Sequence, residues 1–328
     1  MNFRISVAMA TYQGEKYIEE QIQSIQRQTV LPNELIIVDD CSSDLTVAKI
    51  NKIIKTLNFE VRLVVNNKNI GYVRSFSKAL EMCVGDIIFM ADQDDVWLPR
   101  KLELMRSKFI DRPDIQLLIH DVEYCKENLT PIGQTKIQRM TGIYDLNREY
   151  VVGMATAVRG YFLKLCLPIP DEKIITHDSW LHLCASLINK KLILNDVLAL
   201  YRRHASNATI DGNLNVDFIT NASHFERRSV VVSQLTERVA IERNDLVTVL
   251  EWIKSKKNEL LISGLISAVA FENTCTNLEN QCDNIYRREC IWAMPRYRRL
   301  FPAIKLYISS GYNDFTGLRS LFKDLIIK

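Results

Sequence analysis

The run Asp92-Gln93-Asp94-Asp95 places three carboxylates within four residues, directly after the apolar stretch Ile87–Ala91. Like charges at ~4 Å in a partly buried site repel by on the order of a few kcal/mol. A hard divalent cation relieves that repulsion, and oxygen ligands suit Mn²⁺ or Mg²⁺. A cation held there can bridge a diphosphate and neutralise charge on a leaving group. A plainer use is also open: Asp94 and Asp95 capping a helix that begins near Pro99, with the other residues solvated. The position at the end of an apolar strand favours the metal site.

Other residues invite the same two-sided reading. Asp178 precedes the helical run "SWLHLCASL". A carboxylate at a helix start stays ionised, and it serves as a general base if it lies within ~3 Å of an acceptor hydroxyl; otherwise it is an N-cap. His204 lies beside Arg202 and Arg203, a cluster able to hold phosphate oxygens or to sit in a solvated loop. Trp97 and Trp180 are candidates to line a sugar or acceptor pocket. His177 is a candidate for the same wall, or a structural residue like His182. Gly71 and Arg74 form either a turn near a pyrophosphate or a helix entry.

These residues need a scaffold, and the first half of the chain supplies its pattern. "FRISVAMA" reads as a buried strand, and "GEKYIEEQIQSIQRQ" carries Tyr17, Ile18, Ile22 and Ile25 on one helical face. "ELIIVDD" is a second strand, and the helical run after it has Ser43 or Asp44 as N-cap. "FEVRLVV", "GYVRSFSKALEMC" and "GDIIFMADQDD" continue the alternation as strand, helix and strand. Such alternation predicts an α/β fold with a mostly parallel mixed sheet covered on both faces. Ligands of such sheets collect outside the carboxyl ends of the strands. There stand Thr11 and Tyr12, then Asp39 and Asp40, then Asn66 and Asn67, then the acidic run. Further on, "IQLLIHDVEY" and "KKLILNDVLALY" read as strands and 177–188 as a helix, while segments 224–272 and 297–328 read as helices. The expected division is 1–212 as the catalytic unit and 213–328 as a helical extension.

Five segments in this order resemble family 2 glycosyltransferases of the GT-A fold, and are most similar to bacterial rhamnosyltransferase-like members. They are "SVAMATYQGEKYIEEQIQSIQRQT", "LIIVDDCSSD", "GDIIFMADQDDVW", "ITHDSWLHLCASL" and "LALYRRHASN", within residues 3–210. The resemblance implies Thr11 and Tyr12 against a nucleoside, Asp39 on its base, Asp40 and Arg74 in the nucleotide site, and Asp92 on the ribose. It implies Asp94 and His204 at the metal and Asp178 as catalytic base. The activity it implies is inverting, metal-dependent transfer of a hexosyl or rhamnosyl group from a nucleoside-diphosphate sugar to a glycan or lipid-linked acceptor in surface polysaccharide synthesis. Two departures stand out: Ala10 where many members carry a hydroxyl or Pro, and His177-Asp178 where the base motif commonly reads Glu-Asp. A catalytically silent sugar-nucleotide-binding subunit is the competing expectation, opposed by the intact Asp92, Asp94 and Asp178.

Composition narrows the alternatives. A net charge of +3 over 328 residues gives no case for a nucleic-acid partner. Residues 286–328 carry nine Lys/Arg against three Asp/Glu, a net +6, which leaves the remainder at −3. That basic, aromatic tail predicts either an anionic membrane surface as partner or a packing helix. Eight cysteines without a CxxC pair predict reduced thiols. With no signal-peptide pattern at the start, they predict a cytoplasmic location, peripheral at the inner membrane face. The longest uncharged apolar run, Leu260 to Phe271, falls short of the ~20 residues a span requires. A dehydrogenase is disfavoured by the missing GxGxxG and a P-loop nucleotidase by the missing GxxxxGK[ST].

Overall fold

The structure, a computed structural model, describes residues 3–142, 146–170, 175–204, 243–312, 315 and 317–326. The chain divides into two compact units, Met1–Asn207 and Ala208–Lys328.

In the first unit, β1 (Ile5–Thr11) is apolar on both faces because helices cover it on either side. α1 (Ile18–Gln26) follows, then β2 (Glu34–Asp39), α2 (Thr46–Ile53), β3 (Glu60–Val65), α3 (Tyr72–Met82) and β4 (Ile87–Ala91). These four strands pair in parallel in the order β3-β2-β1-β4, with Thr11 level with Asp39 and Asp39 level with Val65. β3 is the partly exposed edge. α3 buries Val73, Phe76, Ala79 and Leu80, each large side chain contributing about 1.5–3 kcal/mol of transfer free energy.

Beyond β4 the sheet becomes mixed. β5 (Val96–Trp97), α4 (Lys101–Asp111), β6 (Leu117–Cys125), β7 (Pro131–Thr135), α5 (Lys136–Met140) and α6 (Leu146–Glu149) come first; β8 (Thr156–Arg159), α7 (Gly160–Cys166), α8 (His177–Leu187) and β9 (Lys191–Arg202) follow. β8 runs antiparallel to both β4 and β6, β9 lies parallel to β6, and β5 closes the far side against β9. The carboxyl ends of β1, β2, β4, β6 and β9 therefore share one edge with the amino end of β8. This brings Thr11, Asp39, the acidic run, Arg202 and the Gly153 turn together. The sequence pattern missed β5, β7 and β8, which are too short, or too exposed in β7, to show a period.

In the second unit the described residues are helical: α9 (243–255), α10 (Lys257–Ile262), α11 (Ala268–Ala293), α12 (Arg296–Ile308) and α13 (Leu318–Ile326). The helix expected from 224 starts in residues outside those described. The stretch 273–293, left unassigned by the sequence reading, is the body of α11. The segment 297–328, expected to be helical, holds α12 and α13, and the chain turns between them at Gly311 and Gly317, the latter at φ +56°. Ile291, Ala303, Leu306, Tyr312 and Leu321 form a core beside a buried polar cluster. There Arg288 donates both its Nε and Nη2 protons to Asp324 at 2.9 and 2.8 Å, and the Tyr312 hydroxyl adds a 2.7 Å bond. All eight cysteines are free. No described helix is long and apolar enough to cross a membrane.

The joint between β4 and β8 is tight: a Cβ on Gly160 would stand 2.3 Å from the Gly85 carbonyl oxygen. Gly160→Ala is expected to cost about 1–3 kcal/mol, read as a lower midpoint in urea unfolding. An unchanged midpoint would mean that this joint yields freely.

Candidate active site

Asp39 and Asp40 end β2 buried, and both are engaged in building the edge. Asp39 accepts from the Thr11 hydroxyl at 2.9 Å, the Ser42 hydroxyl at 2.6 Å and the Ser42 amide at 2.8 Å. Asp40 accepts from Asn66 Nδ2 at 3.0 Å and from the Ile70 and Gly71 amides at 2.8 Å each, fixing the loop before α3. Tyr12 is exposed, and its backbone is tied to the acidic run by a reciprocal pair with the Gln93 amide, both bonds 2.9 Å. Gly14 is required beneath that pair, since a Cβ there would lie 2.2 Å from Gln93 Oε1.

The acidic run caps no helix. α4 starts without a side-chain cap. Asp95, buried, accepts instead from the Arg202 amide at 2.9 Å, and its Oδ2 is buried without a partner. Asp94 Oδ2 lies 2.8 Å from His204 Nε2, and His204 in turn packs on the Tyr17 ring at 4.7 Å. Arg202 was a candidate for phosphate and is corrected by the structure. Its buried guanidinium donates to the Asp94 carbonyl at 2.7 Å, to the Glu127 carbonyl and to Glu20 at 2.5 Å. It is a clamp that holds β9 to the acidic loop.

Electrostatics mark the same place. Asp92 keeps some contact with solvent, yet its loss of water, together with the charges of Asp94 and Asp178, pushes its carboxyl up to about 8. Asp95 moves well upward for the same reasons: burial first, then Asp94 and Asp92. Lys101, wholly buried beneath them, is driven well down by burial against the opposing pull of Asp95 and Asp92. Its ammonium nitrogen donates to the Met154 carbonyl at 2.5 Å and sits 3.7 Å from the Trp97 ring centre.

Asp178 faces this cluster from the first turn of α8, whose N-cap is Thr176. Thr176 Oγ1 and the Ser179 amide donate to its Oδ1 at 2.6 and 2.9 Å. Burial acts to raise its carboxyl, but His177, the Thr176 hydroxyl, His182 and the Ser179 amide outweigh that and hold it below the ordinary range. Both imidazoles are themselves pushed down by burial. Gly153 leaves room for it: a Cβ there would lie 3.4 Å from Asp178 Oδ2.

The three residues expected at the pocket wall lie below the surface. Trp97, Trp180 and His177 are buried and underlie the edge. Trp180 donates its ring N–H to the Cys166 carbonyl at 2.8 Å, and His177 stacks on Phe76 at 4.1 Å. Arg74 is exposed on α3, where it lines a recess of about 190 Å³ with Ser77, Lys78 and Pro170. None of the acidic strand-end residues lines that recess. Gln93, Lys101 and Gly153 escaped the sequence reading. Lys101 follows Arg100 at a helix start and looks like a solvated charge; Gln93 was visible inside the acidic run.

The glycosyl transferase family 2 model matches residues 6–163. An uncharacterised glycosyltransferase of Methanocaldococcus jannaschii is 30% identical over 206 residues, covering 60% of this chain and 70% of that protein. The chain belongs to glycosyl transferase family 2. Another similar protein is the Escherichia coli enzyme WfgD, a UDP-Glc:alpha-D-GlcNAc-diphosphoundecaprenol beta-1,3-glucosyltransferase. It is 28% identical over 127 residues, which cover 39% of this chain and 49% of that enzyme. Among solved structures, S. aureus TarS 1–349 in complex with UDP superposes with TM-score 0.54 at 18% identity, over 87% of this chain and 92% of that one. The mannosyltransferase PcManGT of Pyrobaculum calidifontis, in complex with GDP-Man and Mn²⁺, gives 0.51 at 15% identity, over 100% and 86%. These likenesses establish the GT-A fold of this family 2 member.

A carboxyl whose folded pKa is raised contributes stability that is complete below its unfolded value of about 4. That contribution is lost as pH climbs through the Asp92 value of about 8. Asp95 acts in the same direction. The melting temperature should therefore fall between pH 5 and 9, and Asp92→Asn should flatten the fall and melt higher than the parent at pH 9. Parallel curves for the two proteins would contradict the shift.

Proposed function

We propose that the chain is an inverting, metal-dependent glycosyltransferase that moves a hexosyl or rhamnosyl group from a nucleoside-diphosphate sugar to a lipid-linked glycan acceptor. The observation that carries this reading is the opposition of two unlike carboxylates at one sheet edge. Asp178 is held ionised, and Asp92 is pushed up to about 8 by burial and by its acidic neighbours. Divergent proton affinities in one cleft separate a base from groups that await positive charge.

In this reading Asp178 accepts the proton of an acceptor hydroxyl through Oδ2, since both described bonds to it fall on Oδ1. The acceptor oxygen forms its bond to the anomeric carbon as the bond to the diphosphate breaks, and the electron pair leaves with the diphosphate. Attack from the opposite face inverts the anomeric centre. Thr11, Tyr12 and Asp39 border the nucleoside, Asp92 the ribose, and Asp40 holds the loop toward α3 and Arg74. Trp97, His177 and Trp180 support the sugar and acceptor side from beneath.

Among the described residues no three His, Cys, Asp or Glu side chains form a metal cage. Mn²⁺ and Mg²⁺ in phosphate sites need only one or two protein ligands besides substrate oxygens and water. Asp94 Oδ2 and His204 Nε2, 2.8 Å apart, fit that requirement. A divalent ion held by Asp94 and His204 would offset negative charge on the departing diphosphate. The E. coli relative's diphosphoundecaprenol acceptor and the nucleotide and Mn²⁺ bound by the structural neighbours support the acceptor, donor and metal classes.

Asp178→Asn keeps the shape of the site and removes the base. Turnover of a donor panel (UDP, GDP and dTDP sugars with Mn²⁺) should fall by roughly 10²–10⁴-fold, while donor affinity by calorimetry stays within about twofold. Near-parental turnover would remove Asp178 from the role of base.

A further inference from the structure

α12 packs through Arg299, Ala303 and Leu306, and the opposite side of the helix is apolar. Tyr297, Phe301 and Ile308 lie on one stripe at i, i+4 and i+11, and they are 78, 82 and 77% exposed. Ile304 extends the stripe, and exposed Arg298 and Lys305 run along one flank with exposed Arg296 on the other. No Asp or Glu occurs between 296 and 308.

α13 repeats the arrangement. Ser320, Leu321 and Asp324 face inward, while Leu318, Phe322 and Ile326 are exposed at i, i+4 and i+8 beside exposed Lys323. Arg296 donates to the Ile326 carbonyl at 3.0 Å, so the first turn of one stripe and the last turn of the other share one end of the helix pair. These are not the loose faces of an unformed core. The pair is fixed from within by the Arg288–Asp324 bidentate contact, the Tyr312 hydroxyl and the Arg299 guanidinium, which donates to the Trp292 carbonyl at 2.7 Å.

We propose that the α12–α13 face docks on an anionic lipid surface. Large aromatic and aliphatic side chains turned outward from a rigid helix, flanked only by cations, match the acyl boundary and headgroup layer of such a surface. Juxtamembrane Lys and Arg each add attraction to anionic headgroups. The basic excess along α12, which has no Asp or Glu of its own, repels a second copy presenting the same face, which argues for lipid over self-association. The proposal is independent of the transfer reaction, although a membrane-borne acceptor would be reached there.

The test is sedimentation of the full chain with vesicles of phosphatidylcholine alone and of phosphatidylcholine with phosphatidylglycerol. The expected result is binding to the mixed vesicles that weakens with salt. Arg298→Ser with Lys305→Ser should lower the partition coefficient about tenfold or more. Tyr297→Ser with Phe301→Ser should lower it at least as far. Unfolding midpoints report that these exposed substitutions leave the fold intact, and donor hydrolysis without vesicles keeps a failure of docking distinct from a failure of the enzyme. No vesicle binding, equal binding to neutral vesicles, or a dimer in light scattering that the aromatic pair dissolves would each overturn the proposal.

Discussion

Mutual repulsion among carboxylates gathered at one sheet edge is the constraint around which the first unit is built. Parallel pairing of β1, β2 and β4 forces their carboxyl ends together, and β4 is followed at once by Asp92, Asp94 and Asp95. Asp178 comes in from α8. Left to themselves these groups would separate or take up protons, and burial together with that repulsion raises Asp92 and Asp95. The fold opposes the first with hydrogen-bond donors held in place. Arg202 grips the Asp94 carbonyl from β9, and Lys101 lies buried below. The Gln93 amide locks the loop to β1. Such groups hold position without neutralising the open side of the cluster, the side on which positive charge from outside would be most favourable.

Burial acts to raise the carboxyls of Asp92, Asp95 and Asp178 alike, and Asp178 differs because His177 and its own hydrogen bonds outweigh that burial. Its Oδ1 takes two hydrogen bonds from the helix start, from a hydroxyl and an amide that favour the ionised form. Asp92, at similar depth, meets like charges instead. One edge thereby holds one carboxyl lowered and another raised.

Much of this was legible in the sequence, for a physical reason. Doubly covered parallel strands must be apolar along their length, so β1, β2 and β4 announce themselves, and the alternation with amphipathic helices fixes their common direction. Asp94, Asp178 and His204 stood out because charged groups at strand ends or helix starts are rarely accidental. What stayed hidden depends on distant partners. Lys101 reads as a surface residue until the Met154 turn and Trp97 close over it. Gly153 is unremarkable until α8 delivers Asp178. Arg202 looks like a phosphate ligand until Glu20 and Glu127 are found to hold it. Trp97 and Trp180 drew attention as aromatics beside acids, yet the hydrophobic gain of burying so large a ring placed both under the site.

The central claim is that the acidic edge receives a cation through Asp94 and His204. Crystals grown with Mn²⁺ and a nucleoside diphosphate, with diffraction recorded at the manganese absorption edge, test it directly. The account predicts one anomalous peak about 2.0–2.3 Å from both Asp94 Oδ2 and His204 Nε2, bridged to the diphosphate. A bound diphosphate with no such peak, or a peak away from those two atoms, would contradict it.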